Sequence, residues 1–187
     1  MIEAKSAESN ETLSEVSLES LIAKIASGDR EAMSAIFGET KTAVYGFVLS
    51  ILKNSNDAED VLQETYVKIW STAERYKPMG KPMAWILTIA KNLSLSLLRE
   101  KSKRVDMPEE NQLEDQSVSF SASTEDSIVL NAAMNKLSDE ERQIVVLHAI
   151  TGLKHVEIAR LLSLPLSTVL SKYSRAKRKL KNILEEE

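Results

Sequence analysis

The side chains in this sequence that could do chemistry are mostly cations, and the chemistry they suit is binding a polyanion. Lys91, Arg99, Lys101, Lys103 and Arg104 form one cluster; Lys172, Arg175, Lys177, Arg178, Lys179 and Lys181 form another. Ammonium and guanidinium groups at this density neutralise phosphates and release their counterions. The formal net charge of −4 argues against such a partner until its distribution is read. Residues 1–20 hold five acids and one lysine, and residues 105–126 hold seven acids and no base, which leaves the remainder at +7. The same clusters also fit two solvated helix faces. Bond-making chemistry has little to build on. His148 and His155 fall on two different expected helices, without metal-ligand spacing, and fit surface or boundary positions. A chain with no cysteine has neither disulfides nor thiolate metal sites. It also carries no phosphate-binding loop, nucleophile elbow or dinucleotide fingerprint. No catalytic residue, cofactor or metal site is expected.

The elements that must position these cations read as helices. Five Gly and four Pro in 187 residues, with abundant Leu, Ala, Lys and Glu, favour an all-α fold, and the length allows two small domains. Ser17 is expected to cap a short helix containing Leu18, Leu21, Ile22 and Ile25, ended by Gly28. Asp29 caps a longer helix from Arg30 to about Lys53, where Gly38 and Gly46 suggest a kink or a close helix contact. Asp57 is expected to cap a helix over 58–74, with Leu62, Tyr66, Ile69 and Ala73 at helical spacing. A loop follows, Tyr76–Pro82, then a helix from about Met83 to Lys103. Residues 104–123 are rich in serine and acid and lack periodicity, so they read as a flexible acidic linker and the domain boundary. Beyond a helix over 124–137, Ser138 and Glu141 form a capping box. The helix it starts stops at Gly152. A shorter helix, Lys154–Leu162, a tight Ser163–Leu166 connection and a long helix from Ser167 towards Leu184 complete the chain. The expected organisation is a tail 1–17, a domain 18–103, the linker 104–123 and a domain 124–187.

The last two helices have the plan of a helix-turn-helix. Ile158, Ala159 and Leu162 would pack against Val169 and Leu164, presenting the second helix to a major groove. Ser167, Thr168, Ser171, Lys172 and Arg175 lie on its early turns, where short hydroxyls suit phosphates and cations reach phosphates or guanine edges. A packed helical hairpin with a solvated basic surface is the competing reading.

At this point the residues resemble a family. GLKHVEIARLLSLPLSTVLSKYSRAKRKL and the preceding LSDEERQIVVLHAITG are similar to region 4 of the extracytoplasmic-function (ECF) group of the sigma-70 family. DAEDVLQETYVKIW resembles region 2.2, and KPMAWILTIAKNLSLSLLREKSKR resembles regions 2.3 and 2.4. The three stretches occur in the family's order, and the resemblance runs from about Leu18 to Leu184.

The resemblance implies two helical domains, and core RNA polymerase, promoter DNA and an anti-sigma factor as partners. It assigns Asp57, Glu59, Asp60, Leu62, Gln63 and Glu64 to binding the clamp of core polymerase, with Tyr66 and Trp70 shared between core and interface. It assigns Tyr76, Lys77, Lys81, Trp85, Lys91, Asn92, Arg99, Lys103 and Arg104 to the minus-ten element, where a nucleotide flipped from the non-template strand sits by the loop. It assigns Ser167, Thr168, Leu170, Ser171, Lys172, Arg175, Lys177 and Arg178 to the minus-thirty-five element. Two residues depart from the family pattern. Ser96 stands in a segment that usually carries Asp, and Leu170 where many relatives carry Arg or Lys.

The leading expectation is therefore an ECF sigma factor, which makes no bonds but supplies promoter selectivity. A stand-alone helix-turn-helix regulator, with residues 18–103 as a sensing or dimerisation domain, is the alternative, and an enzyme is third. The polar N-terminus lacks a signal-peptide pattern, and no uninterrupted apolar run approaches the roughly 18 residues of a membrane span. A cytoplasmic protein without membrane insertion is expected.

Overall fold

The computed structural model describes residues 18–105 and 131–185, all helix and connection with no strand among them. The expected tail 1–17, its Ser17 cap, most of the linker and the start of the helix over 124–137 lie outside the described residues. Eight α-helices are described. They are α1 (18–26), α2 (Arg30–Leu52), α3 (Ser55–Thr72), α4 (Pro82–Val105), α5 (131–135), α6 (Asp139–Ala149), α7 (His155–Leu162) and α8 (Leu166–Glu185). A 3₁₀ turn, Ala73–Arg75, extends α3.

Gly28, at φ +85°, turns the chain out of α1, a conformation glycine adopts without a Cβ penalty. Asp29 then caps α2 as expected, its Oδ1 accepting from the Glu31 and Ala32 amides. The helix runs unbroken through Gly38 and Gly46, and Gly46 is buried. Ile36, Val44, Phe47, Val48 and Leu49 are almost fully buried, making α2 the central helix of the N-terminal part. By length and average hydropathy α2 could cross a membrane, although charged and polar residues interrupt its apolar positions. Here 56% of its most apolar window is covered by neighbouring helices.

The start of α3 differs from expectation by one short turn. Asn54, not Asp57, is the cap: its Oδ1 accepts from the Asp57 amide at 2.9 Å. Asp57 instead lies in the first turn, where an acid still suits the positive helix end. Helices α2, α3 and α4 pack on one another, and their buried hydroxyls are all satisfied. Thr40 donates to the Ile36 carbonyl and shares a 2.7 Å bond with the Tyr66 hydroxyl. Burial pushes that phenol up to about 12, partly offset by Thr40, so it stays protonated. Helix α4 extends to Val105, so the first two residues expected in the linker are helical.

In the C-terminal part the expected capping box forms, with Ser138 and Glu141 bonded reciprocally. Such a cap contributes about 1 kcal/mol. Arg142, 4% exposed, donates from Nε to the Met134 carbonyl and from Nη2 to that of Leu137, tying α6 to the end of α5. Helix α7 closes at Ser163, a left-handed residue at φ +57°. Ile158, Ala159, Val169 and Ala176 are buried between α6, α7 and α8, as the helix-turn-helix pattern requires. Truncating a fully buried residue such as Ile158 to Ala typically costs about 2–5 kcal/mol.

The two parts do not stand apart. Helix α6 packs against α2, α7 packs against α4, and their buried residues join in one apolar core.

Candidate functional site

Three surfaces carry the expected residues. The first is the outward face of α8. Its core side is Val169, Tyr173, Ala176 and Leu180; Ser167, Leu170, Ser171, Arg175, Lys177 and Arg178 are exposed, and Thr168 is half-buried. Lys172 does not belong to that face: it turns to α6, where Nζ lies 2.7 Å from Glu140 Oε2. Lys179 likewise turns inward, 2.7 Å from Glu141 Oε2. Burial pushes the Glu141 carboxyl up, but Lys179 and Ser138 outweigh it and hold the group below the usual carboxylate range. Two cations of this cluster therefore brace the domain, while Arg175, Lys177 and Arg178 stay exposed for an anion.

The second surface is α3. Glu59, Asp60, Gln63 and Glu64 are exposed, and Leu62 packs half-buried on the core. Asp57 is not part of the open face, because Lys101 on α4 holds its Oδ2 at 2.6 Å. Helical spacing continues the stripe of Glu59 and Gln63 into Val67 and Trp70, which are 68% and 41% exposed. Trp70 was expected at such a boundary. Val67 was not; its only signal is an apolar residue out of phase with the core stripe.

The third surface is the loop before α4 and the start of that helix. Its organiser is Glu19, on α1. Glu19 Oε1 accepts from the Tyr76 hydroxyl at 2.8 Å and from the Met79 and Gly80 amides at 3.1 and 2.8 Å. One carboxylate thus gathers a loop 57 to 61 residues away. Burial, then Glu19 itself, pushes the Tyr76 hydroxyl well above its ordinary 10. Tyr76 also packs on Trp85, ring centroids 4.9 Å apart, so Trp85 is half-buried and braces the loop. Lys77, Asn92, Arg99 and Lys103 are exposed, while the side chain of Arg104 lies outside the described residues.

Lys81 and Lys91, expected on open DNA-binding surface, are engaged by α7 instead. Lys81 Nζ lies 2.9 Å from Glu157 Oε1, and Lys91 Nζ donates to the Leu161 carbonyl at 2.6 Å. A third tie, Lys53 Nζ to Asp139 Oδ1 at 2.8 Å, joins the end of α2 to the start of α6. Exposed ion pairs contribute only about 0–1 kcal/mol each, so apolar packing supplies most of this closure.

The histidines are not isolated surface residues. His148 and His155 stack with centroids 4.5 Å apart, and Tyr173 meets both rings edge-on. Among the described residues no group of three side chains could hold a metal. His155 Nε2 is buried without a partner, and burial, then His148, lowers its affinity for a proton below the ordinary 6.5. The unfolded chain therefore takes up this proton at higher pH than the folded one, so stability falls as pH drops through about 6.5. Thermal melting from pH 7.5 down to 5.5 is expected to lose stability more steeply in the parent than in His155→Phe; equal slopes would remove His155 as the cause.

Comparison with known proteins places these surfaces in context. The profile described as Sigma-70 region 2 matches residues 36–104, and that described as Sigma-70, region 4 matches residues 127–180. The chain is 31% identical to the ECF RNA polymerase sigma factor SigK of Mycobacterium sp. (strain KMS) over 176 residues, which is 89% of this chain and 90% of that protein. It is 29% identical to the SigK of Mycobacterium ulcerans (strain Agy99), covering 90% and 94%. Its fold resembles that of CnrH in complex with the cytosolic domain of CnrY, with TM-score 0.64, 24% identity and coverage of 91% and 99%. It also resembles the sigma factor RpoE bound to the anti-sigma factor NepR of Bartonella quintana, with TM-score 0.64, 22% identity and coverage of 81% and 96%.

Proposed function

Because this chain belongs to the ECF group of the sigma-70 family of RNA polymerase sigma factors, we propose a division of labour among its three surfaces. Glu59, Asp60, Gln63 and Glu64 of α3, with Val67 and Trp70, dock on core RNA polymerase. The loop Tyr76–Lys81 and the outer side of α4 take the melted minus-ten strand, with Asn92, Arg99 and Lys103 on backbone phosphates. Helix α8 reads the minus-thirty-five element through its early turns, with Arg175 and Arg178 on phosphates. Residues 18–103 and 124–187 act as the two working domains, in the cytoplasm with the polymerase.

The observation that carries this reading is an acidic α3 face and a basic α8 face, both open, on one chain. A stand-alone regulator would use the second and leave the first without a role. The purified chain should co-elute with core polymerase and support promoter-dependent run-off transcription. Tight operator binding without any association with core would establish the regulator reading instead.

The packing of α7 on α4 adds a condition. Lys81 and Lys91 cannot bind a strand while Glu157 and Leu161 hold them, so DNA engagement requires the two parts to separate. Free chain should bind promoter DNA weakly for this reason. An anti-sigma factor that stabilises the closed form would prolong the same state, and the resemblance to complexes of that kind supports such a partner.

Glu19 gives the loop its shape, so Glu19→Ala should impair strand opening while leaving core binding intact. Three bonds to one carboxylate are lost, at about 1 kcal/mol or more each. Open-complex formation, followed by permanganate reactivity of unpaired thymines, is expected to fall at least about tenfold. Parent-level melting by the variant would remove Glu19 from this role.

A further inference from the structure

The exposed face of α8 carries a feature that phosphate binding does not use. Leu166 and Leu170, four residues apart and so neighbours on the helix surface, are 40% and 48% exposed on its first turns. Around them the face is short and polar: Ser167, Ser171 and Ser174, all exposed. Some of that polarity is turned back on the helix, since the Ser171 hydroxyl donates to the Thr168 carbonyl and Arg175 Nε to that of Ser171. Leu170 therefore projects beyond its neighbours as an apolar tip. The following turns carry exposed Arg175, Lys177 and Arg178.

A partner for this face must be anionic where the cations land and apolar where Leu170 lands. Duplex DNA entered through the major groove has that layout, with phosphates at the rims and one apolar group on the floor, the C5-methyl of thymine. Leucine can neither donate to nor accept from a base edge. Set against guanine, cytosine or adenine it would strip water from polar atoms and return nothing.

We propose that Leu170, flanked by Leu166, selects a thymine in the upstream promoter element by packing on its methyl group. This rests on the reading of α8 as the helix that enters that element, and the test separates the two.

Holoenzyme assembled from the full chain and core polymerase is used to select transcribed promoters from a library randomised across the upstream element. The selected promoter is then resynthesised with deoxyuridine for each thymidine there, which removes one methyl and nothing else. Thymine should be enriched at one or more positions, and its replacement by deoxyuridine should lower open-complex formation about fourfold at subsaturating holoenzyme, the value of one buried methyl. Leu170→Ala should respond equally to thymidine and deoxyuridine, with an unchanged circular dichroism spectrum. Equal responses from the parent, or absence of thymine enrichment, would overturn the proposal. So would a thymidine preference that survives Leu170→Ala, an outcome that points the leucines toward a protein partner. An Arg175→Ala/Arg178→Ala variant reports on the underlying reading. If it loses upstream-element dependence while the methyl effect is absent, α8 reads DNA and only the leucine assignment fails. If it transcribes as the parent does, whatever the upstream sequence, both fail.

Discussion

Lys53→Cys and Asp139→Cys, joined by a short reducible thiol cross-linker, should silence transcription by this chain, and reduction should restore it. The pair bridges α2 and α6 at 2.8 Å, and the chain has no native cysteine to divert the reagent. Their ion pair itself matters little, since an exposed pair contributes about 0–1 kcal/mol. Arg142, the other cation on Asp139, keeps its bonds to the Met134 and Leu137 carbonyls, so the reduced double variant should stay folded and active. The covalent tie matters because it keeps α7 on α4. Lys81 then remains with Glu157 and Lys91 with the Leu161 carbonyl. Hydrogen bonds to charged groups are worth about 1.5–3 kcal/mol each, so denying both lysines to DNA lowers promoter-dependent transcription more than about a hundredfold. Run-off transcription before and after reduction measures this directly. A cross-linked chain as active as its reduced form would show that the closed packing is compatible with initiation.

The second large effect is expected from α3. Reversing three exposed acids, as Glu59→Lys, Asp60→Lys and Glu64→Lys, should weaken binding to core polymerase by at least about thirtyfold, roughly 2 kcal/mol for charge pairs lost at an interface. These side chains point to solvent, so the fold tolerates the change. The helix dipole is little affected, because the acid in the first turn of α3 is Asp57, which the variant keeps. Reversing Asp57 would be a poorer experiment. Its carboxylate is already held by Lys101, so its loss would disturb the α3–α4 contact as well as any interface. Co-elution with core polymerase is the measurement, and undiminished co-elution of the triple variant would exclude this face.

What the sequence determined by itself was local. Helix positions follow from the 3.6-residue apolar period, and the Asp29 cap and the Ser138–Glu141 box are bonds within a few residues of one another. The helix-turn-helix was legible because Ile158, Ala159 and Val169 lie close in the chain as well as in space. Even local signals can shift by a turn: the sequence pointed to Asp57 as the cap of α3, whereas Asn54, three residues earlier, accepts from the Asp57 amide and starts the helix.

Only the tertiary structure decided which charges are open. Glu19 organises a loop about 60 residues away, and Lys91 meets a carbonyl 70 residues on. Lys172 and Lys179, alike in sequence to Arg175 and Arg178, are drawn inward by Glu140 and Glu141. The stack of His148, His155 and Tyr173 exists because three helices converge there. The physical reason is reach. Backbone hydrogen bonding and apolar period are set by neighbours within a turn or two, whereas the partner of a long charged side chain depends on how helices cross, and that is set by the packing of the whole core.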